Sequence, residues 1–402
     1  MKRRLIILLL ALVAVVAACG DDDDDNNDFT DDDPTDDDAD DDDDVIDDDT
    51  TDDDTIDDDT ADDDTTDDDT LDDDTTDDDT GDDDFAPPSP AYGYYQEGSS
   101  GNWTWLEAQL PSLAADDLIL FLGMDDVSVG DPGLLHLLQE AKTQGVEIRA
   151  WVLLPYSSGY WPGEQNAADF AVSALAFADW FIQEDVGIEW IVVDMEMDHG
   201  LIAQLNNLFA EGKYLEAAML LLGNYTPERF AQASAIYQQM VEDLAELGFY
   251  SMVVTYPQIL DDLADADTFL QDVMEVPVST VGWHEVSTMP YTTTFENMLG
   301  MPFGPYLIYD YARSTVEYFG DAASIALGIS GEMDDPARLA AEVAASKAAG
   351  VERIQVYNLG GVLNQTNPDD WHAAFDAAPL EPAPDFSTWL MREGLKLADS
   401  LF

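Results

Sequence analysis

Two carboxylates stand two residues apart in an apolar run, Gly187-Ile188-Glu189-Trp190-Ile191-Val192-Val193-Asp194-Met195-Glu196-Met197-Asp198. In an extended strand, residues i and i+2 share a face, so Val192, Asp194 and Glu196 point one way. Val193, Met195 and Met197 point the other way and suit packing on helices. Acids this close repel, and one of them keeps a proton near neutral pH. A protonated carboxylic acid beside a carboxylate is the equipment of general acid catalysis. The competing reading is a structural pair satisfied by Arg or backbone donors. Only 10 of the 13 Lys and Arg lie beyond the first four residues, so few cations are available for it. Asp198 and His199 belong to the following loop, as rim contacts or a helix cap.

A carboxyl acting as general acid commonly works with a second carboxylate as its partner. Two candidates follow strand-like runs. Glu285 follows Val278–Trp283 in Gly282-Trp283-His284-Glu285, where Trp283 and His284 add a site-like cluster. Glu332 follows Ser324-Ile325-Ala326-Leu327-Gly328-Ile329-Ser330-Gly331, whose one face is small and suits a crowded interior. Aromatics cluster at loop positions: Trp103, Trp105, Tyr156, Tyr160, Trp161 and Trp283. Trp161, Trp283, His284 and Tyr357 are the candidate substrate contacts, since sugar rings stack on aromatic faces. Asn358 and the Gly360-Gly361 pair let backbone approach a ligand. The four histidines show no His-x-His or His-Glu-x-x-His spacing, so no metal site is expected. No Gly-x-Ser-x-Gly elbow, Gly-x-Gly-x-x-Gly turn or Walker loop appears, and no cofactor is expected.

Strand-like runs alternate with helical ones. The strands are Ala91–Gln96, Leu118–Gly123, Val146–Leu154, Ile188–Met195, Tyr250–Tyr256, Val278–Trp283, Ser324–Ile329 and Arg353–Tyr357. Helical patterns cover Gly133–Thr143, Ala167–Glu184, Glu228–Leu247, Leu260–Met274, Tyr306–Phe319, Pro336–Ala349 and Asp370–Ala378. Eight such alternations over residues 91–402 predict a (β/α)8 TIM barrel, with a doubly wound open sheet as the other candidate. Tyr306–Tyr311 is read as helix rather than a ninth strand because its apolar pattern continues through Val316 and Phe319. His199 to Asn224 is an extra helical stretch after the fourth strand. Phe386–Leu401 is a C-terminal helix. In a barrel, Asp194 and Glu196 project into the top of the bore, where this fold carries its catalytic groups.

The fourth strand resembles that of glycoside hydrolase family 18, which carries Asp-x-x-Asp-x-Asp-x-Glu. Glu189 stands at the first acid, Val192 at the second, and Asp194 and Glu196 match the last two. The glycine after the first acid is Trp190 here, and Tyr357 lies nearest the family's eighth-strand Trp. The resemblance implies that Glu196 is the acid/base and that Asp194 assists an N-acetyl group of the substrate. Acids after strands four and seven, Glu196 and Glu332, resemble the large clan of retaining glycosidases. Acids after strands four and six, Glu196 and Glu285, resemble the α-galactosidase barrels.

The N-terminus speaks of compartment. Met1-Lys2-Arg3-Arg4 precedes an apolar run, Leu5 to Ala17, of 13 residues. That is short of the roughly 20 a spanning helix needs, so residues 1–18 read as a signal peptide. Val16-Ala17-Ala18-Cys19-Gly20 resembles the lipobox of bacterial lipoproteins, which implies lipidation of Cys19 and an acyl anchor in the membrane. Gly20 after the cysteine implies the outer membrane or the cell surface. Cys19 is the only cysteine, so no disulfide is expected.

From Asp21 to Asp84, 41 of 64 residues are Asp and none is Lys or Arg. Ile46 to Thr80 repeats one variable residue, three Asp and one Thr. The tract lacks apolar residues to offset ordering entropy, so residues 19–90 are expected to be a disordered, self-repelling tether. Any calcium it collects should be held weakly and diffusely, because glycines that would turn the chain around an ion are missing. Of the formal net charge of −75, about −37 remains beyond the leader and tract, which argues against nucleic acid as a partner. The expected protein is a surface-tethered barrel acting on a polysaccharide. The alternatives are a barrel that binds glycans without cutting them, or a structural surface lipoprotein.

Overall fold

The computed structural model describes residues 90–99 and 101–399. Cys19, the leader and the aspartate tract lie outside the described residues. Eight parallel strands close into a barrel in chain order. They are β1 (Ala91–Glu97), β2 (Ile119–Met124), β3 (Ile148–Val152), β4 (Trp190–Met195), β5 (Tyr250–Thr255), β6 (Glu285–Thr288), β7 (Ala323–Gly328) and β8 (Arg353–Tyr357). The expected (β/α)8 barrel is the observed fold. β8 pairs with β1 from Ala91↔Arg353 to Tyr95↔Tyr357, which closes the sheet.

The strands are near-continuous buried runs, as a sheet covered on both faces requires. Polar caps start the helices between them. Asp131 accepts from the Gly133 and Leu134 amides at 2.7 and 2.9 Å, with Pro132 at the first helical position of Pro132–Gln144. Asp335 does the same for Pro336–Ala348, and Asp198 caps His199–Ala210. Pro305–Phe319 is a helix, so Tyr306–Tyr311 adds no ninth strand. The stretch after β4 forms two helices, His199–Ala210 and Tyr214–Leu222. Leu260–Met274 also divides in two. Ala266 takes a positive φ of 66°, and Asp262 folds back to accept from the Leu270 and Gln271 amides, both at 2.8 Å.

The sixth strand corrects the sequence reading. Val278–Trp283 is an apolar loop, and the strand is Glu285–Thr288. Its polar residues are satisfied on both faces, by the bore and by the outer helix Pro305–Phe319. Ser287 donates to Gln355 Oε1 at 3.0 Å, and Thr288 meets Thr315 at 2.9 Å. Glu285 therefore opens β6 at the N-terminal end of the bore instead of closing a strand at the rim. It is fully buried. Arg149 Nη1 reaches its Oε2 at 2.9 Å, Arg353 Nε approaches at 3.4 Å, and Gln355 donates to Oε1 at 3.3 Å. The Arg149 guanidinium lies 4.1 Å from the Trp190 ring centroid. Removing one partner of such a buried set leaves uncompensated charge. Glu285→Ala should thus lower unfolding free energy by roughly 3–5 kcal/mol. Urea unfolding measures it, and a loss below about 1 kcal/mol would contradict the structural role.

Candidate functional site

β4 places Asp194 inside the barrel and carries Glu196 one residue past its end. Both are buried, at 6% and 8% exposure. The Glu196 amide donates to Pro162 O at 3.2 Å, which ties the end of β4 to the loop after β3. Gly163 is required in that loop: a Cβ there would lie 3.1 Å from both Glu196 O and Glu275 O. Tyr256, fully buried just after β5, donates its hydroxyl to the Glu196 carboxyl and accepts from the Met197 amide at 3.2 Å. Thr255 Oγ1 donates to Met195 O at 2.9 Å, locking the two strand ends together.

Burial drives the Glu196 pKa well above the usual carboxylate range, and the charge of Asp194 adds to the rise. The Tyr256 hydrogen bond opposes it only partly. No cation is among the groups acting on Glu196. The arrangement is a neutral carboxylic acid beside a second carboxyl, at the end of the barrel where this fold does its chemistry.

Aromatic rings surround the pair. Tyr95 of β1 feels the charge of Asp194, and burial keeps its phenol protonated. Its ring meets Trp151 of β3 edge-on at 5.4 Å, and Trp151 meets Tyr357 of β8 at 6.3 Å. Tyr291 stacks on Tyr357 at 6.4 Å. Gly328 leaves room for that ring, since a Cβ would sit 3.1 Å from it. Glu97, the last residue of β1, accepts a hydrogen bond from the Tyr160 hydroxyl.

The remaining candidates separate. Glu332 lies in the turn Ser330–Glu332 after β7, exposed at the rim, where it accepts from Asn297 at 3.0 Å. Tyr357 ends β8, half-buried beside Trp151. Trp161 is buried in the loop after β3, 5.0 Å from Tyr160 and 5.9 Å from His199. Trp283 and His284 precede β6 and fall away from the rim with Glu285. Trp283 packs on Tyr237 and donates to Val278 O at 3.2 Å, while His284 Nδ1 sits 3.1 Å from the Ser251 amide. Tyr95, Glu97, Trp151, Tyr256 and Tyr291 join the site unannounced by any motif. Alternation can put Tyr95, Glu97 and Trp151 on the faces of their strands, but their approach to Asp194 and Glu196 depends on register across the barrel. Among the described residues, no group of three His, Cys, Asp or Glu side chains is arranged to hold a metal ion.

No protein-family model and no curated protein matches the sequence. Solved structures resemble the chain distantly. The spore cortex-lytic enzyme SleL of Bacillus megaterium QM B1551 is 12% identical over 73% of this chain and 75% of that one, with a TM-score of 0.48. D-psicose 3-epimerase from Clostridium cellulolyticum H10, solved with D-tagatose, is 10% identical over 77% and 97%, with a TM-score of 0.39. Haloferax volcanii malate synthase is 11% identical over 74% of each chain, with a TM-score of 0.40. Likeness at this distance carries no argument about activity.

A second set of buried acids backs the rim. Arg229 Nε reaches Glu164 Oε2 at 2.7 Å and its Nη2 reaches Glu275 Oε1 at 3.3 Å, while Gln165 donates to Glu275 at 2.6 Å. Burial outweighs Arg229 and raises the Glu164 pKa to about 8. Burial likewise raises Asp262 to about 7, Glu342 to about 7 and Asp261 to about 6. A carboxyl whose folded pKa exceeds its unfolded value binds its proton more tightly when folded. Its contribution is fully present below the unfolded pKa, near 4, and is lost as pH rises through the folded one. The melting temperature should therefore fall steadily between pH 5 and pH 8. Calorimetry across that range checks this, and a midpoint that rises with pH would contradict it.

Proposed function

We propose that the barrel hydrolyses glycosidic bonds in an envelope or extracellular polysaccharide, with Glu196 as general acid and base. One observation carries the reading: Glu196 is buried beside Asp194 and hydrogen-bonded to Tyr256, and burial raises its pKa well above the usual carboxylate range. In the first step Glu196 gives its proton to the leaving glycosidic oxygen as the bond to the anomeric carbon breaks. Asp194 supports the positive charge that develops on the sugar ring. Water then adds at the anomeric carbon and returns a proton to Glu196. If the sugar bears an acetamido group, as the resemblance to family 18 implies, its carbonyl oxygen serves as nucleophile and Asp194 orients it. Otherwise Glu332 and Glu97 are the rim carboxylates available as partner.

Glu196→Gln should lower turnover roughly 10²–10⁴-fold, the usual worth of a positioned acid, while leaving the melting temperature close to wild type. Wild-type turnover should fall as pH rises, because the acid form is required and ionisation of Glu196 removes it. Release of reducing ends from a polysaccharide panel measures both. Undiminished release by the Gln variant would refute the assignment.

We further propose that a lipid on Cys19 holds the chain at the envelope and that the aspartate tract spaces the barrel from the membrane. The lipobox resemblance and the tract's self-repulsion support this. At full extension, 64 residues reach roughly 200 Å at ~3.3 Å each. Cys19→Ala should move the protein from the membrane fraction to the soluble one. Unchanged fractionation of that variant would count against the anchor.

A further inference from the structure

We propose that the exposed face of Tyr156 is a stacking subsite for one pyranose ring of an uncharged or amino-bearing glycan chain. The inference rests on the glycan reading above and adds a binding position and a charge class. Tyr156 is 66% exposed, yet it is held firmly. Its ring stacks on Tyr160 with centroids 4.3 Å apart and planes 10° from parallel. His199 meets it edge-on at 5.4 Å. Tyr160, the supporting ring, adopts a φ of 64°, a conformation rare for a bulky residue and found where surrounding structure enforces it. Three contacts do the enforcing. The Tyr160 amide donates to Pro155 O at 3.3 Å, its carbonyl accepts from Leu154 at 2.9 Å, and its hydroxyl donates to Glu97. One face of Tyr156 is thus covered, and the other is presented to solvent on a fixed support.

The platform leads toward the carboxylates. Tyr160 lies close enough to Glu97 and Tyr357 to feel both, Tyr357 meets Trp151, Trp151 meets Tyr95, and Tyr95 feels Asp194. Ring contacts and electrostatic contacts thus connect the exposed rim to Asp194. A rigid, exposed aromatic face suits the C–H surface of a sugar at little ordering cost.

Charge narrows the ligand. Among the described residues, every Arg and every Lys except Lys347 is paired with a carboxylate. Lys347 donates to Phe375 O and lies 4.7 Å from the Tyr92 ring centroid. At the platform the basic side chain is His199, edge-on to Tyr156, while Glu97, Asp198 and Glu332 stand around the rim. A polyanionic chain would meet like charge there.

The test is a printed array of neutral, amino-bearing and uronic-acid glycans, probed with the full chain carrying Glu196→Gln to prevent turnover. Neutral or amino-bearing chains should bind and uronic-acid chains should not. Adding Tyr156→Ala should weaken binding roughly tenfold, the scale of one aromatic contact, whereas Tyr156→Phe should restore it. Equal binding with and without the ring, a preference for acidic glycans, or binding to none would each overturn the proposal. Binding as described, with no cleavage by the wild-type chain, would refute hydrolysis and leave the subsite standing.

Discussion

Two acids on one face of a strand cannot both ionise cheaply inside a closed barrel. β4 imposes this condition by carrying Asp194 and Glu196 two residues apart, and burial enforces it. Ionising Glu196 would place a second negative charge in a medium that screens poorly. The raised Glu196 pKa is the consequence, and the hydrogen bond from Tyr256 opposes it only partly.

The bore is divided by charge along its length. At its N-terminal end, Glu285 is ringed by Arg149, Arg353 and Gln355. At the other end, Glu196 has a tyrosine and another acid. Both glutamates are buried and both sit on or beside a strand, but one meets two guanidinium groups and the other a tyrosine and an acid. Of the 10 Lys and Arg outside the leader, Arg149 and Arg353 both meet Glu285.

The fold was legible because seven of eight strands are apolar runs separated by helices with the right period. β6 was misread for a physical reason. Its bore-facing residues, Glu285 and Ser287, find polar partners across the barrel, so the strand lacks an apolar signature. The neighbouring loop Val278–Trp283 buries Val278, Val281 and Trp283 and mimics one. That seven-residue displacement carried Glu285, Trp283 and His284 to the wrong end in the sequence reading. Asp194 and Glu196 were found because alternation within one strand is local. Tyr256, Tyr95 and Trp151 were not, because their approach to that pair depends on strand register across the barrel. Glu97 was hidden at the end of a strand read as closing at Gln96.

The Tyr156 platform, the cation-poor rim and the anchor inferred from Cys19 describe how a polysaccharide would be met. All of it has purpose only if Glu196 holds a proton under working conditions. Difference infrared spectroscopy of the wild-type chain against Glu196→Gln at pH 7 measures this directly. The account predicts a carboxylic-acid C=O band in the wild type that vanishes in the Gln variant. A carboxylate band in its place, with no acid band lost, would show that Glu196 is ionised and would contradict the account at its root.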